Sequence, residues 1–166
     1  MLDQATFLSR AEFECVEPWT GDAAISIGDP GQETPAILAR YGEGQTLRLQ
    51  FLDGDPVSLP GTQVMTLEQA QAIRDFVHAL HASDWGRRLV VHCEGGACRS
   101  PAVALYAQAI TGCTLNEREA RYANVYVLQQ LRAVDPQFAE ELDALIAVVI
   151  AFQKDSAQQE TGPFFW

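Results

Sequence analysis

The sequence predicts an α/β protein: a single domain with a mostly parallel central sheet flanked by helices. Three observations carry that expectation. Short apolar runs rich in β-branched residues, Leu89-Val90-Val91 above all, suit strands covered on both faces. Segments with helical periodicity and recognisable caps lie between them. Around positions 66–111 the order is helix, strand, glycine-containing loop, helix, which is that of a right-handed crossover onto a parallel sheet. With 166 residues, 48% apolar and 20% charged, the chain is long enough for one substantial core.

The elements follow in order. Ala23-Ala24-Ile25-Ser26-Ile27 reads as a strand, ended by the turn Gly28-Asp29-Pro30-Gly31. Ala36 to Tyr41 is a further strand candidate. Leu47-Arg48-Leu49-Gln50-Phe51 alternates and reads as another, followed at once by Asp53-Gly54-Asp55-Pro56 and a loop from Val57 to Val64. Thr66 and Gln69 have capping-box spacing and open a helix to about His81, with Leu67, Ala70, Ile73, Phe76, Val77 and Leu80 on one face. His78 and His81 are expected at its surface or boundary, since a metal pair would want positions i and i+4. The strand Leu89-Val90-Val91 precedes a helix from Arg99 to Ile110, which Thr111-Gly112 ends. Asn116 to Glu119 suggests another cap, before a helical segment around Asn124. Asp135-Pro136 starts the last helix, whose apolar stretch Leu142 to Phe152 should pack on the core. The tail 153–166 turns polar and ends Gly162-Pro163-Phe164-Phe165-Trp166, aromatics expected to dock on the domain's own surface, with a flexible tail as the alternative. No repeat or domain linker is visible, so residues 1–166 are read as one domain.

Charge and composition exclude several classes. Eleven basic against twenty-two acidic residues leave a net charge of −11, which argues against nucleic acid and anionic membranes as partners. No run approaches the roughly 20 apolar residues of a membrane span. Met1-Leu2-Asp3-Gln4 shows no secretory signal, so a cytoplasmic location is expected by default. The four cysteines, Cys15, Cys93, Cys98 and Cys113, lack metal-site spacing, and no metal or other cofactor is expected. Cys15 and Cys113 read as buried thiols. Oligomeric state is not legible.

The segment Val90-Val91-His92-Cys93-Glu94-Gly95-Gly96-Ala97-Cys98-Arg99-Ser100-Pro101 carries the chemistry. A strand runs into a cysteine, and a compact loop then opens a helix. Amides at a helix N-terminus have no intrahelical partner, and the helix dipole adds partial positive charge. An anion such as phosphate is the natural occupant. Gly95 and Gly96 let the backbone curl around it, and Arg99 offers a planar fork to two oxygens. Glu94, Gly95, Gly96, Ala97, Cys98 and Arg99 thus form the expected phosphate cradle, with Cys93 as the nucleophile at its floor. Converging amides, the helix terminus and Arg99 all favour the thiolate. His92 is expected to orient the loop by hydrogen bonding. Ser100 is placed to donate to the Cys93 sulfur. Cys98 reads as a small packing residue, with a redox role as resolving thiol for Cys93 the alternative.

On these residues the sequence resembles the cysteine-dependent protein tyrosine phosphatase superfamily, whose signature is His-Cys, five residues, then Arg-Ser/Thr. The compact dual-specificity-like branch, with its bacterial and phage-type members, is most similar. The resemblance implies a phosphotyrosine-phosphatase-like fold, nucleophile Cys93, phosphate-binding Arg99 and Ser100 as the hydroxyl that assists hydrolysis. It extends to Ala123-Asn124-Val125-Tyr126-Val127-Leu128-Gln129-Gln130-Leu131, which is similar to a downstream segment whose asparagine steadies the phosphate loop. Ala123 stands where that segment has proline. The resemblance also implies a general acid, an aspartate upstream of the cysteine. Asp53 is the first choice because it directly follows a strand; Asp55 is the alternative general acid, and Asp29 comes third. Asp-Gly and Asp-Pro are also ordinary turn chemistry. A mildly acidic, bell-shaped rate profile is expected.

The function so implied is hydrolysis of phosphotyrosine, and of phosphoserine or phosphothreonine if the specificity is broad, in a phosphorylated protein or peptide. The alternatives are phosphatase action on a small metabolite or another non-protein ester, and a non-catalytic phosphopeptide-binding module. A rhodanese-like sulfurtransferase is disfavoured because its anion loop is typically one residue shorter. The loop carries no lysine, which disfavours a phosphoinositide substrate.

Overall fold

Strands that are apolar on both sides need covering on both sides, and this chain supplies the cover in sequence order. The computed structural model describes residues 1–83, 88–115 and 120–160. Strand β1 (Gln4–Ser9) runs directly into α1 (Arg10–Glu14). Strand β2 (Asp22–Gly28) is followed by a 3-10 turn at Ala36–Arg40, and β3 (Thr46–Gln50) leads through a long loop to α2 (Leu67–Ala82). Then come β4 (Arg88–Cys93), α3 (Arg99–Thr111), β5 (Thr114–Leu115), α4 (Val125–Val134), a second 3-10 turn at Pro136–Phe138, and α5 (Ala139–Glu160). Among the described residues the sheet has five strands, all parallel, in the order β3-β2-β4-β1-β5.

That order inserts β4 between β2 and β1, so Cys93 ends the middle strand. Side chains alternate along a strand. Leu89, Val91 and Cys93 therefore face one core, which α2, α3, α4 and α5 cover with residues such as Ile73, Val77, Val103, Leu128 and Leu142. Val90 and His92 face the other side, where Phe13, Ile37, Leu38 and Tyr41 close a smaller cluster. Burying a side chain such as Leu128 or Leu131 completely stabilises the fold by about 1.5–3 kcal/mol. Helix α2 begins with the expected capping box at Thr66 and Gln69, and α3 ends on Gly112 with φ 70°, a left-handed cap that favours glycine.

Several expectations need correction. Ala36 to Tyr41 is not a strand. Pro35 lacks an N–H for a ladder, and Ile37, Leu38 and Tyr41 instead pack as one turn against Phe13, the ambiguity that short apolar runs leave open. Strands β1 and β5 and helix α1 have no counterpart in the sequence reading. β1 is legible only through its pairing with β4, and α1 is five residues long with a Ser9–Glu12 capping box. Cys113 is buried, but Cys15 caps the exposed end of α1 and is exposed itself. In α5 one stripe packs, through Leu142 and Val149, whereas Val148 and Phe152 are about half exposed. Asp135-Pro136 does open the last helical stretch, with Asp135 as the cap residue of the 3-10 turn that runs into α5, but the Asp135 side chain does not cap it. Its carboxylate accepts from the buried Tyr106 hydroxyl at 2.7 Å and contacts His78 Nε2 at 2.9 Å. The Asn116–Glu119 cap and the terminal Phe164, Phe165 and Trp166 lie outside the described residues. No helix among the described residues is long and apolar enough to cross a membrane.

Candidate active site

The loop after β4 is shaped by its neighbours' main chains. The Arg10 N–H donates to the Glu94 carbonyl at 3.1 Å, and the Asn124 N–H donates to the Cys98 carbonyl at 2.9 Å. Gly96 has φ 68°, and a Cβ there would overlap the backbone of Leu8 and Ser9. Glycine is required at that position on two counts. Gly95 has neither constraint, so only one of the two glycines is needed for the curl. Helix α3 starts at Arg99 with Cys98 as N-cap, and no side chain caps its first amides. Those N–H groups remain available to an anion.

Cys93 is 2% exposed, and its Sγ lies 3.1 Å from Ser100 Oγ. That hydroxyl is also 3.4 Å from the Leu8 carbonyl, so it has two acceptors in reach. Arg99 is 4% exposed. One of its terminal nitrogens, Nη1, donates to Asp29 Oδ1 and to the Phe51 carbonyl, each at 2.6 Å. Its Nε is buried with no partner. A buried N–H on a fixed guanidinium without an acceptor is costly unless a ligand supplies one. Asp29, third among the acid candidates by sequence, is thus engaged in aiming Arg99.

The other two aspartates have different surroundings. Asn124 Nδ2 donates to Asp53 Oδ1 at 2.7 Å, while Asn124 Oδ1 caps α4 by accepting from the Val127 N–H at 3.0 Å. Asp53 also stands beside Cys98, whose thiol is pushed up to about 12, mainly by burial and then by that carboxylate. A thiol so held is a poor attacking group, which favours packing over a resolving role for Cys98. Asp55 turns the other way. Its carboxylate accepts from the N–H groups of Val57 and Ser58 and from the Ser58 hydroxyl, at 2.8, 2.9 and 2.6 Å. Those bonds, the Ser58 hydroxyl first, hold it below the usual carboxylate range. The geometry brings Asp53 to the cradle with Cys93, Arg99, Ser100 and Asn124, and commits Asp55 to its own turn.

His92 is 1% exposed and stacks on Phe13 with centroids 4.2 Å apart. Its Nε2 lies 2.6 Å from Ser26 Oγ. Burial pulls its pKa down to about 4; the adjoining Cys93 backbone offsets part of this, and the charges of Arg48, Arg10 and Arg99 add to it. The ring is therefore neutral near pH 7. Nothing local in the sequence marks Ser26, Arg48 or Gln32 as parts of the site, and Asp29 holds Arg99 where the sequence offers it only as a third acid candidate. Register is the signal that finds the first two: Ser26 pairs with His92 on one side and with Arg48 on the other. Gln32 reaches Glu94 Oε2 at 2.5 Å from the turn after β2.

No family model matches this chain, and neither does any curated protein or solved structure. Among the described residues no group of three or more His, Cys, Asp and Glu side chains is arranged to hold a metal ion.

Proposed function

We propose that the chain is a phosphomonoester hydrolase that works through a cysteinyl-phosphate intermediate, acting on phosphotyrosine and related residues of a protein or peptide. The observation that carries this reading is the buried, unpartnered Nε of Arg99 beside the uncapped start of α3, in the loop that begins at the Cys93 sulfur. A cationic donor and uncapped amides in the loop that carries the sulfur suit a tetrahedral anion held for in-line attack.

In the first step the Cys93 thiolate forms an S–P bond as the P–O bond to the leaving group breaks, and that oxygen takes the proton of Asp53. Arg99 and the loop amides hold the equatorial oxygens. In the second step water attacks phosphorus, the Asp53 carboxylate takes its proton, and the S–P bond breaks to release phosphate. Ser100 donates to the departing sulfur and stabilises the regenerated thiolate. Asn124, bound to both Asp53 and Cys98, keeps acid and cradle in register.

A peptide substrate is supported by the groove that Gln50, Gln63, Gln69, Tyr126 and Gln130 line, of about 660 Å³, next to the Asp53 loop and the start of α4. With Gln50 and Gln69 already bonded within the fold, Gln63 and Gln130 beside the apolar Val64, Met65 and Leu67 make an uncharged lining that suits a peptide better than a highly charged metabolite. A cytoplasmic, reducing compartment fits a thiolate nucleophile.

The test is hydrolysis of para-nitrophenyl phosphate by purified protein in the presence of a chelator. The expected result is turnover that Cys93→Ser abolishes, with phosphotyrosine peptide still bound by that variant. Binding without turnover in the wild-type protein would instead favour the phosphopeptide-binding module. Turnover of small esters with no peptide activity would favour a metabolite phosphatase.

A further inference from the structure

Arg48 makes no ion pair among the described residues, although it is half-buried and its Nε has no partner. A desolvated cation left without a carboxylate is expensive, so its donors matter. Its Nη1 donates to Ser26 Oγ at 2.9 Å. Its Nη2 donates to the carbonyls of Gln32 and Glu33, at 3.1 and 3.5 Å. The guanidinium crosses the bare Cα of Gly28, where a Cβ would collide with both terminal nitrogens.

Each contact leads to a different half of the cradle. Register puts Arg48, Ser26 and His92 side by side on three neighbouring strands. A guanidinium only donates, so Ser26 Oγ must accept from Arg48. Ser26 is fully buried, and its one proton finds its acceptor in His92 Nε2, 2.6 Å away. That puts the ring proton of the neutral imidazole on Nδ1, which is buried and makes no hydrogen bond of its own, so the Ser26 contact alone selects the tautomer. On the second branch, Gln50 Nε2 joins Arg48 on the Gln32 carbonyl at 2.7 Å. The Gln32 side chain accepts from the Asp29 N–H at 3.0 Å and donates to Glu94. Asp29 in turn holds Arg99.

We propose that Arg48 is a positioning residue that fastens the two halves of the cradle together: through Ser26 it fixes one tautomer of His92 behind Cys93, and through the 28–33 turn it holds Asp29 on Arg99. Its consequence for turnover rests on the phosphatase reading; the tautomer and the clamp do not.

The test begins without substrate. Long-range ¹H–¹⁵N NMR of the histidine-labelled protein at pH 7 is expected to show His92 protonated at Nδ1, and Ser26→Ala is expected to abolish that single form. A ring protonated at Nε2 in the wild-type protein, or a tautomer unchanged by Ser26→Ala, overturns the proposal. Binding of inorganic phosphate, followed by the same spectra, is expected to weaken in Arg48→Met and to be partly restored in Arg48→Lys. Equal affinity in Arg48→Met and wild type also overturns it. If wild type turns over para-nitrophenyl phosphate, kcat should fall roughly 10- to 100-fold in Arg48→Met, the scale of a small misplacement of reacting groups. Ser26→Ala on top of Arg48→Met should cost less than its effect alone, because both act through His92. If wild type shows no turnover, the phosphatase reading fails, and the tautomer and phosphate binding still decide the role of Arg48.

Discussion

Cys93 and Asp53 are held by unequal supports. The cysteine ends the middle strand of the sheet, and the loop beyond it is tied by main-chain bonds from Arg10 and Asn124. Gly96 in that loop leaves no space for a Cβ. Asp53 sits exposed on the connection from β3 to α2, with one carboxylate oxygen on Asn124. The loop after β4 is thus bound into the core, while the proposed acid is mounted on a surface loop. The contrast matches what each half would do in the proposed reaction. Anion stabilisation depends on donors that need no reorganisation, whereas a proton donor must approach and leave a substrate oxygen.

The largest effect expected from this contrast lies on the rigid side. Arg99→Lys keeps the charge but loses the fork, and with it the contact to Asp29 or to the anion. A loss on the order of 10³ in kcat/KM is expected, the upper range for removing an oriented donor. Steady-state kinetics on para-nitrophenyl phosphate measures it; a loss confined to KM would mean that Arg99 binds substrate and transition state equally.

On the loop side, Asp53→Asn should lower kcat by roughly 10²–10³ on an alkyl phosphate, whose leaving oxygen needs a proton, and by less on para-nitrophenyl phosphate. The alkaline limb of the pH–rate profile, which reports loss of the acid's proton, should flatten in the same variant. An unchanged profile would move the acid elsewhere and dissolve the contrast.

Burial also gives the rigid side a pH dependence of stability. His92 takes up its proton near pH 6.5 when unfolded and near 4 in the fold. Between those values the unfolded chain binds more protons, so this stabilisation is complete above pH 6.5 and lost as pH falls to 4. The full swing is about 3 kcal/mol, from the free energy of a pKa difference. Urea unfolding of wild type and His92→Asn across that range measures it as the difference between the two curves.

What the sequence revealed divides along the same line. The cradle was legible because its parts are contiguous: a β-branched strand, a cysteine, a glycine and a helix start within a dozen residues. The capping box of α2 and the glycine after α3 were legible for the same reason. The clamp on Arg99 was not, because Asp29 lies seventy residues earlier and meets it only through the strand order. Ser26 looked like one small residue in a buried strand, and Arg48 like the polar member of an alternating one. Their roles exist only in the register of β3, β2 and β4. Strand β1 was missed because Gln4 and Thr6 dilute its apolar pattern; its partner β4 supplies what its own residues do not declare.

The smallest effect sharpens the comparison within the loop itself, where Asp53 and Asp55 are two residues apart and similar in sequence context. Asp55 accepts three hydrogen bonds from Val57 and Ser58, an Asx-type closure of the turn. Its carboxylate is held below the usual range, so near neutral pH it is ionised and has no proton to give. Asp55→Ala should therefore leave kcat/KM and the shape of the pH profile unchanged. A slight fall in melting temperature is expected, since the turn loses its side-chain acceptor. Because the hydrogen-bonded form is the ionised one, that stability difference should shrink as acid protonates Asp55 in wild type. Loss of turnover in Asp55→Ala with Asp53→Asn left active would reverse the assignment: the turn seen at Asp55 would then be a resting position that opens to deliver the acid.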